Sequence, residues 1–122
     1  MAGEPYYITT AISYPNGVPH IGHAYEVIAA DAIARFKRLD GYDVFFTTGT
    51  DEHGLKIQQT ATKAGISTRA FVDDMAPRFR AMAERLDCSF DRFIRTTDAD
   101  HIASAQALWR RMEENGDIYL AK

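Results

Sequence analysis

A single cysteine, Cys88, stands in 122 residues, so the chain forms no internal disulfide and offers no four-cysteine zinc knuckle. Long apolar runs are missing as well. Nothing approaches the ~20 residues that cross a bilayer, and the opening MAGEPYYITT has neither the basic nor the apolar segment of a secretory leader. These absences argue against membrane insertion and secretion, and a reducing, cytoplasmic setting is expected. Basic charge is not in surplus either: 14 Lys and Arg stand against 17 Asp and Glu, for a formal net charge of −3. The cations are scattered rather than gathered into a stripe that could follow a phosphate backbone, so nucleic-acid binding by this segment alone is not expected. Repeats, low-complexity segments and internal linkers are also lacking. What remains is 46% hydrophobic and 25% charged, the composition of one ordinary globular domain.

The order of patterns points to an α/β fold. Tyr6 to Ala11 (YYITTA) is rich in β-formers and is closed by Ser13, Pro15, Asn16 and Gly17, which reads as a strand followed by a loop. Ile21, Tyr25, Ile28, Ala32, Phe36 and Leu39 then recur at helical spacing and predict one apolar stripe, ending at Asp40-Gly41. Asp43 to Thr50 (DVFFTTGT) has the density of a buried strand, giving a βαβ unit with parallel strands and a right-handed crossover. A helix is expected from Leu55 to Ala64. A second runs from Thr68 to Leu86, with Pro77 expected to kink or divide it. Arg92 to Thr97 is a candidate strand, and Asp98 an N-cap for a last helix with Ile102, Ala105, Trp109 and Met112 on one face, Trp109 in the core. Asn115-Gly116 ends that helix. The closing DIYLAK reads as the beginning of another strand, as in a piece of a longer chain.

Two stretches could carry chemistry. PHIGH, Pro19 to His23, follows a strand and opens a helix, where unpaired N–H groups and the helix dipole favour a phosphate. Gly22 lets a base or ribose lie against the backbone, and His20 and His23 could donate to one anion, as suits a leaving pyrophosphate. The plainer alternative is a pair of solvated loop histidines. GTDEHG, Gly49 to Gly54, lies at the carboxyl end of the second strand, so Asp51 could come close to Tyr14 and His20 and suits a substrate ammonium. Equally, Asp51 could cap the following helix with Glu52 in its first turn. A competing metal reading gathers His20, His23, Asp51 and His53, but no HExxH-like spacing supports it. Asp73-Asp74 and Glu113-Glu114 read as solvent charges, and Cys88 as a half-buried packing residue.

These residues resemble a known family. YYITTAISYPNGVPHIGHAYEVIAADAIARF, then DVFFTTGTDEHG and FIRTT, is similar to the N-terminal part of the methionyl-tRNA synthetases, class I aminoacyl-tRNA synthetases, over essentially all 122 residues. HIGH alone indicates class I synthetases and related nucleotidyltransferases; AISYPNG and TGTDEHG point to methionine within that class. The resemblance implies the N-terminal half of a Rossmann-type parallel sheet with flanking helices, spanning residues 1–122. It further implies formation of methionyl-adenylate from methionine and ATP, accompanied by Mg2+, and transfer of the methionyl group to tRNA. His20 and His23 match the catalytic signature pair; His20, Gly22, His23 and Glu26 match nucleotide-binding positions; Ile12, Tyr14 and Asp51 match the methionine pocket. No metal ligands are implied and no zinc site is expected in this segment. The lysine-rich KMSKS loop, the connective segment and the anticodon-binding domain have no counterpart here. The isolated chain is accordingly expected to be inactive or very weak, with tRNA held by parts not present. Alternatives are another HxGH class I synthetase or nucleotidyltransferase, or a non-catalytic nucleotide-binding module.

Overall fold

The computed structural model describes residues 3–121. Three strands, β1 (Pro5–Thr9), β2 (Asp43–Thr50) and β3 (Arg92–Arg95), form one parallel sheet in the order β1-β2-β3. Helix α1 (Ile21–Leu39) joins β1 to β2; α2 (Leu55–Lys63) and α3 (Thr68–Arg85) join β2 to β3; α4 (Ala99–Glu114) follows. This is the α/β arrangement expected, and β2 coincides with its expected limits. The register pairs Tyr7 with Phe45 and Thr48 with Phe93, so successive side chains of β2 alternate between the two faces of the sheet.

One face is covered. Phe46 is enclosed among Val27, Ala30 and Ala34 of α1, Ala83 of α3 and Cys88, with Ile8 and Val44 packed alongside. The alanines let both helix backbones approach the sheet closely. A second cluster joins Ile57 and Ala61 of α2 to Phe71 and Val72 of α3, and Tyr14 packs on it. On the opposite face Tyr7 and Phe45 stack with ring centroids 6.3 Å apart and remain exposed.

Three expectations are corrected, and a fourth, for Pro77, in part. The large-residue stripe of α1 faces outward, with Ile21 88% and Tyr25 76% exposed. The covered stripe is Val27, Ala30, Asp31 and Ala34: the helical period holds, but close approach to the sheet selects small residues, so the phase differs. Asp31 belongs there because its carboxylate accepts from the Ser89 backbone N–H at 2.6 Å and from Arg35 Nε at 2.7 Å. Burial pushes its pKa up, but the bonds from Ser89 and Arg35 outweigh this and hold it below the ordinary value.

Pro77 does not divide α3, which runs unbroken for 18 residues; Ala76 and Phe79 beside it are buried in place. Trp109 is 59% exposed, and α4 has no buried residue, because no described element packs on its apolar face. Residues 117–121 form no strand, and Lys122 lies outside the described residues. Among those described, no helix is long and apolar enough to cross a membrane.

Candidate active site

The chain leaving β1 stays with β2. Thr10 N–H donates to Thr47 O at 3.2 Å and Ser13 N–H to Gly49 O at 2.9 Å; Asp51 N–H returns a bond to Ser13 O at 2.8 Å. Ile12, Ser13 and Tyr14 thus lie at the carboxyl ends of β1 and β2, where open parallel sheets collect ligands. The Tyr14 hydroxyl rests over Gly54, where a Cβ would come within 2.5 Å of it. Gly54 also takes φ 130°, a conformation that other residues rarely adopt.

Helix α1 begins at this rim. Its N-cap is His20, whose Nδ1 accepts from Gly22 N–H at 3.1 Å, while His20 N–H donates to His23 Nδ1 at 3.1 Å. The two imidazoles form the reciprocal box usually built from Ser or Thr with Glu. Their ring centroids lie 3.9 Å apart, and the edge of His23 meets Phe79 at 5.0 Å. A Cβ on Gly22 would press against the His20 ring at 3.0 Å, so the glycine makes room for the histidine itself.

The box decides the chemistry of the pair. With Nδ1 accepting from the backbone, each neutral ring carries its proton on Nε2, which leaves that N–H as its donor. Burial and neighbouring His20 lower the pKa of His23, with Glu26 opposing, so His23 stays neutral near pH 7. No acidic residue occupies the first turn, leaving the positive end of the helix uncompensated. A recess lined by Thr10, Ser13, His23, Glu26, Gly49 and Phe79 connects this end of α1 to the strand termini. Glu26 accepts from the Ala11 backbone N–H at 2.9 Å, tying α1 to the loop that carries Ile12 and Tyr14.

Asp51 is half-buried and has no ion-pair partner among the described residues; its Oδ1 receives only a long 3.5 Å contact from His53 N–H. It does not cap α2, whose N-cap is Gly54 with no side-chain bond, so the capping alternative fails. His53 turns to the carbonyl of Thr96, 3.4 Å from Nε2, and among the described residues no three His, Cys, Asp or Glu gather as metal ligands. Cys88 is buried, and burial together with Asp31 raises its thiol pKa, which makes it unreactive.

Glu52 and Arg95 were not singled out by the sequence. Glu52 is 2% exposed and accepts from Thr50 Oγ1 at 2.9 Å, from Arg95 Nε at 2.7 Å, from Arg95 Nη2 at 3.0 Å and from the Thr97 hydroxyl. Arg95 also reaches Asp73 Oδ1 at 2.6 Å, so Asp73 is not the free solvent charge expected; its bonds from Arg69 and Arg95 hold its pKa down. The bonds to Glu52 and Asp73 keep the guanidinium protonated well above its ordinary range. The available signal was positional: Arg95, Thr96 and Thr97 close the third parallel strand at the same rim.

The profile of class I tRNA synthetases (M) matches residues 6–122. The methionine–tRNA ligase of Mycobacterium bovis is 65% identical over 117 residues, covering 96% of this chain and 22% of that protein. That of Mesorhizobium japonicum is 62% identical over 120 residues, covering 98% and 23%. The chain therefore spans about a fifth of the length of these curated relatives. Among solved structures, Mycobacterium tuberculosis methionyl-tRNA synthetase in complex with methionyl-adenylate superposes with TM-score 0.92 at 64% identity, covering 97% of this chain and 23% of that one. A LeuRS–tRNA–LeuAMS ternary complex from Agrobacterium radiobacter K84 superposes at 0.84 with 25% identity, covering 96% and 15%.

Proposed function

The chain belongs to the class I tRNA synthetases (M), and we propose that its 122 residues are the N-terminal half of the catalytic domain of a methionine–tRNA ligase. Such an enzyme joins methionine to ATP as methionyl-adenylate, releases pyrophosphate and passes the methionyl group to tRNA. The observation that carries this reading is the placement, at one rim, of two imidazoles whose Nδ1 atoms both accept from backbone N–H groups and of a carboxylate, Asp51, with no ion-pair partner among the described residues.

In this reading Asp51 receives the α-ammonium of methionine, with Ile12 and Tyr14 walling the pocket. The methionine carboxylate attacks the α-phosphorus of ATP, and the bond to the bridging oxygen of pyrophosphate breaks. His20 and His23 donate from Nε2 to the phosphates as charge builds on the leaving group, while Gly22 and Glu26 face the nucleoside. No protein nucleophile is required: the site works by positioning and by preorganised donors. ATP would enter as its Mg2+ complex. The solved complex of a relative with methionyl-adenylate supports the choice of substrates. tRNA contacts are assigned to parts of the protein outside these residues, and the setting to the cytoplasm.

The testing experiment is ATP–pyrophosphate exchange by the protein that carries this chain, run with a panel of amino acids. Methionine alone should support exchange. Exchange driven by a different amino acid would replace this reading with another class I synthetase. Nucleotide binding without any exchange would leave a binding module.

A further inference from the structure

We propose that Glu52 and Arg95 are a positioning pair for Asp51: their ion pair ties the residue that follows Asp51 to the end of β3 and neutralises the adjacent charge, so Asp51 meets the substrate ammonium as the loop's one carboxylate without an ion-pair partner. The inference rests on the reading of Asp51 given above. Asp51 is anchored on both sides. Its own N–H is tied to Ser13 O at 2.8 Å, and the next N–H, that of Glu52, donates to Thr96 Oγ1 at 2.8 Å. The backbone on either side of Asp51 is therefore held by the segment after β1 on one side and by the end of β3 on the other.

Charge supports the same role. Glu52, Arg95, Asp73 and Arg69 form a chain of alternating sign: Arg95 bonds to both carboxylates, and Arg69 Nε donates to Asp73 Oδ2 at 2.9 Å. Its charges cancel, so Glu52 neither repels Asp51 nor competes for a cation. Burying such a pair is not what a fold needs for stability, since apolar residues of similar size often serve as well. A fixed, neutral neighbour is what a carboxylate reserved for an ammonium needs.

Steady-state exchange by the protein that carries this chain tests the pair. Glu52→Gln should raise the KM for methionine about tenfold while the KM for ATP moves less than about twofold, the scale of one weakened charge-assisted contact. In an Asp51→Asn background the same substitution should add less than about twofold, because the two act through one contact. Equal rises in both KM values, or the full tenfold effect without Asp51, would overturn the inference and mark a general structural role. Should Glu52→Gln fail to fold, Thr97→Ala removes one bond to Glu52 and is read the same way, with a methionine-only rise of about threefold expected. If the wild-type protein shows no methionine-dependent exchange, the functional reading falls and this inference with it; the KM split can fail by itself.

Discussion

Glu26 Oε1 accepts the Ala11 backbone N–H at 2.9 Å, so the helix that carries the histidine pair also holds the loop that carries Ile12 and Tyr14. The nucleotide and methionine halves of the proposed site are thereby coupled through one hydrogen bond. Glu26→Gln keeps an oxygen for Ala11 but replaces the other acceptor with a donor; Glu26→Ala removes both.

Glu26→Gln should leave thermal stability unchanged and raise the KM for ATP about fivefold, one neutral hydrogen bond's worth. Glu26→Ala should also cost about 1 kcal/mol of stability and raise the KM for methionine, because the Ala11 N–H loses its partner. Calorimetry beside exchange kinetics separates the two. An unchanged ATP KM in both variants would remove Glu26 from the nucleotide site.

Gly54 meets two constraints at once, φ 130° and a Tyr14 hydroxyl 2.5 Å from where a Cβ would stand. Gly54→Ala should destabilise by about 1–3 kcal/mol through backbone strain and displace Tyr14. Methionine binding should weaken more than nucleotide binding, as read by calorimetric titration with each ligand. Equal affinities and an unchanged melting point would contradict the assignment of Tyr14 to the pocket.

His23 titrates below the ordinary 6.5 because burial and His20 disfavour its charge. The unfolded chain, titrating near 6.5, takes up the proton first as pH falls. The stability contributed by neutral His23 is thus complete above pH 6.5 and is lost as pH drops from there through the lower folded value. The ring resonance of His23 in NMR should show a midpoint below 6.5, and Phe79→Ala, by opening the ring to water, should move it upward. A midpoint at or above 6.5 would refute the neutral state of His23.

Much of this was legible in the residues. β2 and the βαβ order followed from β-branched density and helical spacing, and PHIGH and TGTDEHG marked the rim where the strands end. The phase of α1 was not legible, because size misleads: Ile21 and Tyr25 face out, while Ala30 and Ala34 make the close contact with the sheet. Trp109 has the spacing of a core residue, and spacing cannot say whether an element lies opposite. The role of His20 as a cap was hidden because histidine seldom fills that position, and its bond to Gly22 exists only in three dimensions. Glu52 was masked by its neighbour: two adjacent acids look alike in sequence, yet one is enclosed by Arg95, Thr50 and Thr97 while the other is left free.

His20→Asn tests the central claim most directly. Asparagine is a strong N-cap and can still accept from Gly22 N–H, so helix α1 and the melting temperature should hold. What disappears is the Nε2 donor. Methionine-dependent ATP–pyrophosphate exchange by the protein that carries this chain should then fall about 10²-fold in kcat, the loss expected for one donor aimed at developing charge. Exchange within twofold of the wild type, in a variant that is fully folded, would show that the histidine pair caps a helix and does nothing to the phosphates.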